Sequence, residues 1–346
     1  LTLRYRDSAV RGQRSTVNAR GSANRPIPRP VHFQLSDARR WPASWAGLVI
    51  AALIAAGSAG CRDHGIAGRR PDKIVGEHGL GPGQFHRPRA IACGPDGSVF
   101  VVDMTARIQR FSPDGEFETS WRMPEWEAGK PTGIAVDASG RVLVADTHYH
   151  RVIIYDRNGR ELGRFGSGGE GEGEFIYPTD VAVDAGGDLY VSEYGGNDRV
   201  SRFSPQFEYL GSFGGQGAGD AALLRPQSLA LDADGTLWVA DAVHHRICRF
   251  SRTGELLSCF GSAGRAPGQL QYPYDIAICP DGTLLVCEFG NNRLQRFDRE
   301  GRCLETWGGP GREPGQLLDA WGVAVGKDRR VYVVDSRNHR VQMFRM

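Results

Sequence analysis

The sequence predicts an all-β fold: a six-bladed β-propeller over residues 73–346, its ring closed by an N-terminal strand. Three observations predict it. A V-x-[DE] pattern closes an apolar run at Asp103, Asp146, Glu193, Asp241, Glu288 and Asp335, with spacings of 43, 47, 48, 47 and 47. Six copies at a period in the forties, each made of four short apolar runs, are the pattern of four-stranded blades. Each acid is followed by an arginine four to six residues later, at Arg107, Arg151, Arg199, Arg246, Arg293 and Arg340. Finally, the last copy supplies only three strands, and residues 73–79, KIVGEHG, match the missing fourth. Pairing that segment beside residues 341–345 closes the ring and removes two free sheet edges.

Residues 133–166 show one unit in full. A first run ends near Asp137, a turn passes through Gly140, and a second run closes on Asp146. After a polar knuckle, Arg151 opens a third run, and a fourth ends in Phe165-Gly166. One such sheet cannot bury both faces, so the units must stack around an axis. The acid and the arginine face each other across one hairpin, where an ion pair or capping of knuckle amides serves every blade. Glycine-rich linkers ending in proline join the units, as tight turns require. None has the spacing of a phosphate-binding loop. Residues 120–131 depart from this pattern, lacking the glycine run and carrying Trp121, Met123 and Trp126.

The first 44 residues read as a disordered basic leader, with nine arginines against Asp7 and Asp37 by residue 40. The net charge of the whole chain is +2, so without that stretch it falls to about −5, which lacks the electrostatic footprint of nucleic-acid binding; none is expected. Residues 45–61 follow as an apolar export signal flanked by Arg39 and Arg40, and residues 62–72 as a linker. Ser58-Ala59-Gly60-Cys61 resembles the lipobox of bacterial lipoproteins, apart from Ser58 where that motif prefers leucine. The resemblance implies lipid attachment at Cys61 and a membrane-anchored or periplasmic protein of a bacterial cell envelope. Cleaved secretion and an uncleaved anchor through residues 45–60 are the alternatives. The other six cysteines form no C-x-x-C and read as small buried residues. The expected oxidising compartment leaves disulfides open, but counting back from the turn sets Cys248 and Cys259 diagonally on adjoining strands, so no bond between them is asserted.

The pattern Pro-x-[Gly/Asp]-Ile-Ala-Val-Asp, Val-Ala-Asp-x-x-x-His-Arg-[Val/Ile], Phe-Gly, clearest in residues 131–166 and 226–261, resembles the NHL repeat. The resemblance covers about 79% of the chain, 274 of 346 residues. It implies a six-bladed propeller and leaves the role open, because such domains serve as protein- or RNA-binding modules, as a zinc-dependent amidating lyase, and in bacterial exported proteins.

Residues that vary from blade to blade on the face formed by the knuckles are where function is to be sought. Tyr149, Tyr194, Phe289 and Trp321 are expected to hold a partner. Asp180 and Asp275 stand where other units carry Ala90, Gly133, Ser228 and Gly322. With His148 and His244 they form a candidate metal cluster. His150, His245 and His339, just before the repeated arginine, are expected to cap loops. The leading expectation is a non-catalytic binding or scaffolding module outside the cytoplasm, holding a protein, peptide or glycan and requiring no cofactor. The alternative is a metal-assisted lyase or hydrolase resembling the amidating lyases, whose histidine-bound zinc sits in the central channel; only this reading calls for zinc or calcium.

Overall fold

The computed structural model describes residues 62–63, 69–215, 217 and 219–346; the expectations for the basic leader, the apolar segment and Cys61 lie outside them. Six antiparallel sheets of at least four strands each follow one another along the chain. Their inner strands are Pro88–Cys93, Gly133–Val136, Tyr177–Val183, Pro226–Leu231, Pro273–Ile278 and Ala320–Val325. Each packs against the next, and the sixth against the first, so the six surround a channel. Lys73–Val75 supplies the outer strand of blade six, pairing Lys73 with Met343, Ile74 with Gln342 and Val75 with Val341. Arg62–Asp63 adds a parallel fifth strand to blade five. Among the described residues no helix is long and apolar enough to cross a membrane.

The second strand of a blade is covered on both faces by neighbouring blades, so it reads as an unbroken apolar run ending in the acid. Val99–Asp103, Val142–Asp146, Leu237–Asp241 and Leu284–Glu288 are buried at every position. Outer strands, covered on one face, alternate instead, as Phe117–Arg122 does. The core is therefore a ring of inter-blade clusters. One joins Tyr190 and Val200 of blade three to Val239 and Phe250 of blade four.

The recurrent acid and arginine pair in all six blades. The contacts are Asp103–Arg107 at 3.0 Å, Asp146–Arg151 at 2.9 Å, Glu193–Arg199 at 2.6 Å, Asp241–Arg246 at 2.8 Å, Glu288–Arg293 at 2.6 Å and Asp335–Arg340 at 2.7 Å. The free carboxylate capacity then holds the linker. Glu193, Asp241, Glu288 and Asp335 accept the amides of Ile176, Leu224, Gln271 and Leu318. The arginines donate to linker carbonyls, Arg340 to those of Glu313 and Gln316 at 3.0 and 3.1 Å. Charge-assisted bonds thereby satisfy backbone groups that a glycine-rich loop cannot satisfy itself. The irregular linker is the exception: Arg151 pairs there with the Glu125 side chain, and Met123 fills the core.

Cys248 and Cys259 are bonded and directly opposed, correcting the diagonal placement. Phe250 pairs with Leu256 while Arg249 pairs with Ser258, so a bulge inserts one residue and advances the register. The same shift occurs at Phe111, Phe203 and Phe297.

Removing residues 73–79 exposes the edge of Arg340–Arg345 and the apolar side chains beneath it. The truncated chain should melt earlier and over a wider range than the full chain in thermal denaturation. An unchanged cooperative transition would contradict this closure.

Candidate functional site

The six inner strands present two successive layers to one end of the channel. The outer layer reads Arg89, Thr132, Thr179, Gln227, Tyr274 and Trp321, and the layer beneath it Ala90, Gly133, Asp180, Ser228, Asp275 and Gly322. The deeper layer is polar on blades three to five and small on the other three. A cavity of about 250 Å³ lies among these layers, lined by residues from all six blades. A Cβ on Gly133 would stand 2.3 Å from the Thr179 carbonyl oxygen and 2.6 Å from Asp180 Oδ1, so the neighbouring strand can approach only glycine.

Asp180 and Asp275 are linked through Ser228, whose hydroxyl donates to Asp275 Oδ1 at 2.6 Å. Both acids also stitch blades together. Asp180 Oδ2 accepts the Leu229 amide at 2.9 Å, and Asp275 Oδ2 accepts that of Val323 at 2.8 Å. Burial pushes the Asp180 carboxyl up to about 8, with repulsion from Asp275 adding to it. Burial alone holds Asp275 at about 6, against the hydrogen bond from Ser228.

Above them lies a connected aromatic array. Phe289 stacks on Tyr274 with ring centres 4.6 Å apart, and Trp321 meets Tyr274 at 5.1 Å and Phe289 at 5.4 Å. Arg89 lies over Trp321 at 4.3 Å, and Arg225 over Tyr194 at 5.0 Å and Tyr274 at 5.5 Å. Three of the four expected partner-binding residues, Tyr194, Phe289 and Trp321, thus belong to one array. Tyr149 stands apart in the knuckle of blade two, its hydroxyl accepting the Ala128 amide of the irregular linker.

The histidines of the expected metal cluster have other partners. His148 Nδ1 accepts the Lys130 amide at 3.3 Å, and His244 Nδ1 lies 2.8 Å from Asp241 Oδ2, within the acid–arginine clamp. Among the described residues, the group of three potential ligands with donor atoms all within 4.8 Å of one another is His78, His86 and His339, at the junction of blades six and one. His78 Nε2 and His86 Nδ1 are 3.3 Å apart. The His78 and His339 ring centres are separated by 4.4 Å.

The trio arises from one general feature and two local exceptions. The residue before each repeated arginine has positive φ, and in blades three to six its side chain caps an amide of the next linker. His339 Nδ1 accepts the Arg87 amide at 3.1 Å, His245 Nδ1 that of Tyr272 at 3.0 Å, and Asn292 Oδ1 that of Asp319 at 2.6 Å. Loop capping, as expected, is thus present at His245 and His339. His78 and His86 are the exceptions. The bridge His78–Phe85 aligns with Gly168–Phe175, Ala263–Leu270 and Pro310–Leu317. Gly168, Ala263 and Pro310 therefore stand where His78 does, and Ile176, Gln271 and Leu318 where His86 does. Those substitutions were the available sequence signal, and ring closure gives it meaning.

Four segments match the NHL repeat, residues 129–155, 223–250, 270–297 and 317–344. The chain is 40% identical over 70 residues to protein brain tumor of Drosophila melanogaster, spanning 20% of this chain and 7% of that protein. It is 34% identical over 85 residues to the peptidylglycine alpha-amidating monooxygenase of Rattus norvegicus, spanning 23% and 9%. The matched segments are thus a small part of either relative. Among solved structures, a streptogramin B lyase superposes with a TM-score of 0.57 at 16% identity, covering 78% of this chain and 96% of that one. A catalytically inactive virginiamycin B lyase from Staphylococcus aureus, determined with quinupristin, gives 0.55 at 17%, covering 79% and 89%. At such identities the likeness establishes the fold.

These findings correct the expectation of a non-catalytic binding or scaffolding module, and with it the expectation that the chain is not an enzyme. That reading rested on an aromatic, polar face, which serves a substrate as readily as a partner. It is overturned by the imidazole trio, which offers a metal-ligand set, together with the lyases that share the propeller.

Asp180 is ordinary in the unfolded chain and raised in the folded one, so the native state keeps a proton that the unfolded state loses as pH rises from about 4. Stability from this group is full below that pH and lost as pH rises through about 8. Asp180→Asn retains an oxygen for the Leu229 amide and removes the charge. Its melting temperature relative to the unsubstituted protein should climb between pH 4.5 and pH 8. A difference independent of pH would contradict this account.

With the repeats matched, the six blades counted and the ring closure traced, the chain belongs to the NHL-repeat proteins and has their six-bladed β-propeller fold.

Proposed function

We propose that the propeller is a metal-assisted lyase or hydrolase, its ion held by His78, His86 and His339. The observation that carries this reading is the convergence of three imidazoles at the ring closure. Nitrogen donors favour zinc over calcium, which takes oxygen ligands. A tetrahedral zinc with Zn–N bonds of about 2.0–2.1 Å sets its ligands about 3.4 Å apart. His78 and His86 already stand at 3.3 Å.

His339 is the adjustable ligand. Its Nδ1 lone pair accepts the Arg87 amide, so its remaining ring nitrogen carries the proton in the neutral form. Joining an ion requires it to release that amide, at a cost of about 1 kcal/mol. Burial, with His78 and His86 beside it, lowers the His339 pKa and favours the neutral, ligating imidazole. Zinc bound there supplies Lewis acidity with a fourth position open to water or substrate. Arg87, whose amide His339 caps, lies two residues before Arg89 at the channel mouth. Support also comes from the streptogramin and virginiamycin B lyases, which share the fold, and from the local similarity to the amidating monooxygenase.

The full chain should retain one zinc after dialysis, measured by plasma mass spectrometry, and lose it in a His78→Ala, His86→Ala variant that melts where the zinc-free parent does. Turnover of a panel of lactones, esters and quinupristin should stop with chelator and return with zinc. Failure to retain zinc, or equal retention in the variant, would sink this reading.

We also propose that the protein is exported and anchored through Cys61. Support comes from the apolar segment before it and from the Cys248–Cys259 disulfide, a bond that persists in oxidising compartments. Metabolic palmitate should label the protein and not its Cys61→Ser variant; an unlabelled parent chain would contradict the anchor.

A further inference from the structure

We propose that the channel mouth binds a small planar carboxylate, its anionic end taken by Arg89 with Arg225 beside it and its flat body lying against the Tyr274–Phe289–Trp321 array. This inference stands on observations separate from the imidazole trio and holds whether or not a metal is bound.

The first observation is a cation without a counter-ion. Among the described residues, neither Arg89 nor Arg225 has an ion pair, although each of the six clamp arginines does. Arg89 Nε is buried with no hydrogen-bond partner. Such a group is costly unless a ligand completes it. Burial is the largest influence lowering its pKa; Tyr274 and Tyr194 oppose it, and Arg87 and Arg225 add to it.

The second observation is geometric. The Arg89 guanidinium carbon stands 4.3 Å from the Trp321 ring centre, and among the described residues its nitrogens make no hydrogen bond or ion pair, so the guanidinium fork is available for bidentate recognition of a carboxylate. Arg225 covers Tyr274 from its own blade, so the aromatic surface lies between the two cations. Trp321 Nε1 is also buried and without a partner, a further donor at the same place.

The third observation is size. The cavity beneath, about 250 Å³, is smaller than the ~300–1,000 Å³ typical of sites for drug-sized ligands, so its occupant is small. Asp180 and Asp275 line that cavity but are bonded to Leu229, Ser228, Ile276 and Val323. Burial pushes the Asp180 carboxyl up to about 8, so near neutral pH it is mostly protonated and repels an anion little, while Asp275, at about 6, keeps its charge against the Ser228 hydroxyl and the Ile276 and Val323 amides.

Benzoate, with benzamide as its neutral isostere, tests the proposal by isothermal titration against the full chain, with zinc and after chelation. Benzoate should bind saturably in both states, and benzamide roughly 10- to 100-fold more weakly. Arg89→Gln should lose a similar factor while keeping the melting temperature and zinc content of the parent. Trp321→Phe, which retains a stacking ring, should lose less than Arg89→Gln. Equal affinity for benzoate and benzamide, no saturable benzoate binding in the millimolar range, or an Arg89→Gln variant that folds and binds benzoate normally would each overturn the proposal. Benzoate binding by zinc-free protein supports the anion site even where the metal reading fails, and benzoate binding only with zinc would reassign the carboxylate to the ion.

Discussion

The buried acid–arginine clamp is the interaction on which the rest of the structure depends. Each clamp joins the second and third strands of one blade and, through the remaining carboxylate oxygen and guanidinium nitrogens, secures the linker leading into that blade. Removing one partner leaves a desolvated charge and several unpaired backbone groups together, a loss of several kcal/mol by the usual behaviour of buried pairs. Because all six copies are committed to this work, the repeated ions are unavailable for chemistry. Function falls to the positions that the repeat leaves free, namely the channel layers and the linker residues beside each knuckle.

The two candidate loci follow from how a closed ring treats those positions. At the junction of blades six and one, residues from opposite ends of the propeller sequence meet, and two histidines absent from the corresponding positions elsewhere face a third, His339, whose position is also histidine at His150 and His245. Along the channel, the inner strands of all six blades enclose a cavity lined in part by the acids of blades three and five. The first arrangement offers a ligand set for zinc, and the second offers unpaired cations over an aromatic floor. Their placement near the start of one inner strand, at His86 and Arg89, lets a single substrate be considered for both.

Blade number, closing strand and clamp were legible in the sequence because each repeats or completes a repeat. Tyr194, Phe289 and Trp321 were legible as variable residues on one face, though not as one array. Other features depend on relations that spacing does not carry. Cys248 and Cys259 become partners only because a bulge advances the register by one residue. Asp180 and Asp275 break the small-residue pattern of their position, yet each serves the blades by accepting an amide from the next one. His78 and His86 sit in a linker that reads as ordinary until closure brings His339 against them. The general lesson is physical: periodicity reports what every blade needs, and non-repeating contacts across the closure are invisible to it.

Anomalous diffraction at the zinc edge from crystals of the full chain tests the central claim most directly. The account predicts one peak bounded by His78, His86 and His339, with the Arg87 amide no longer bonded to His339. A peak elsewhere, or zinc-grown crystals with none at that junction, would contradict it.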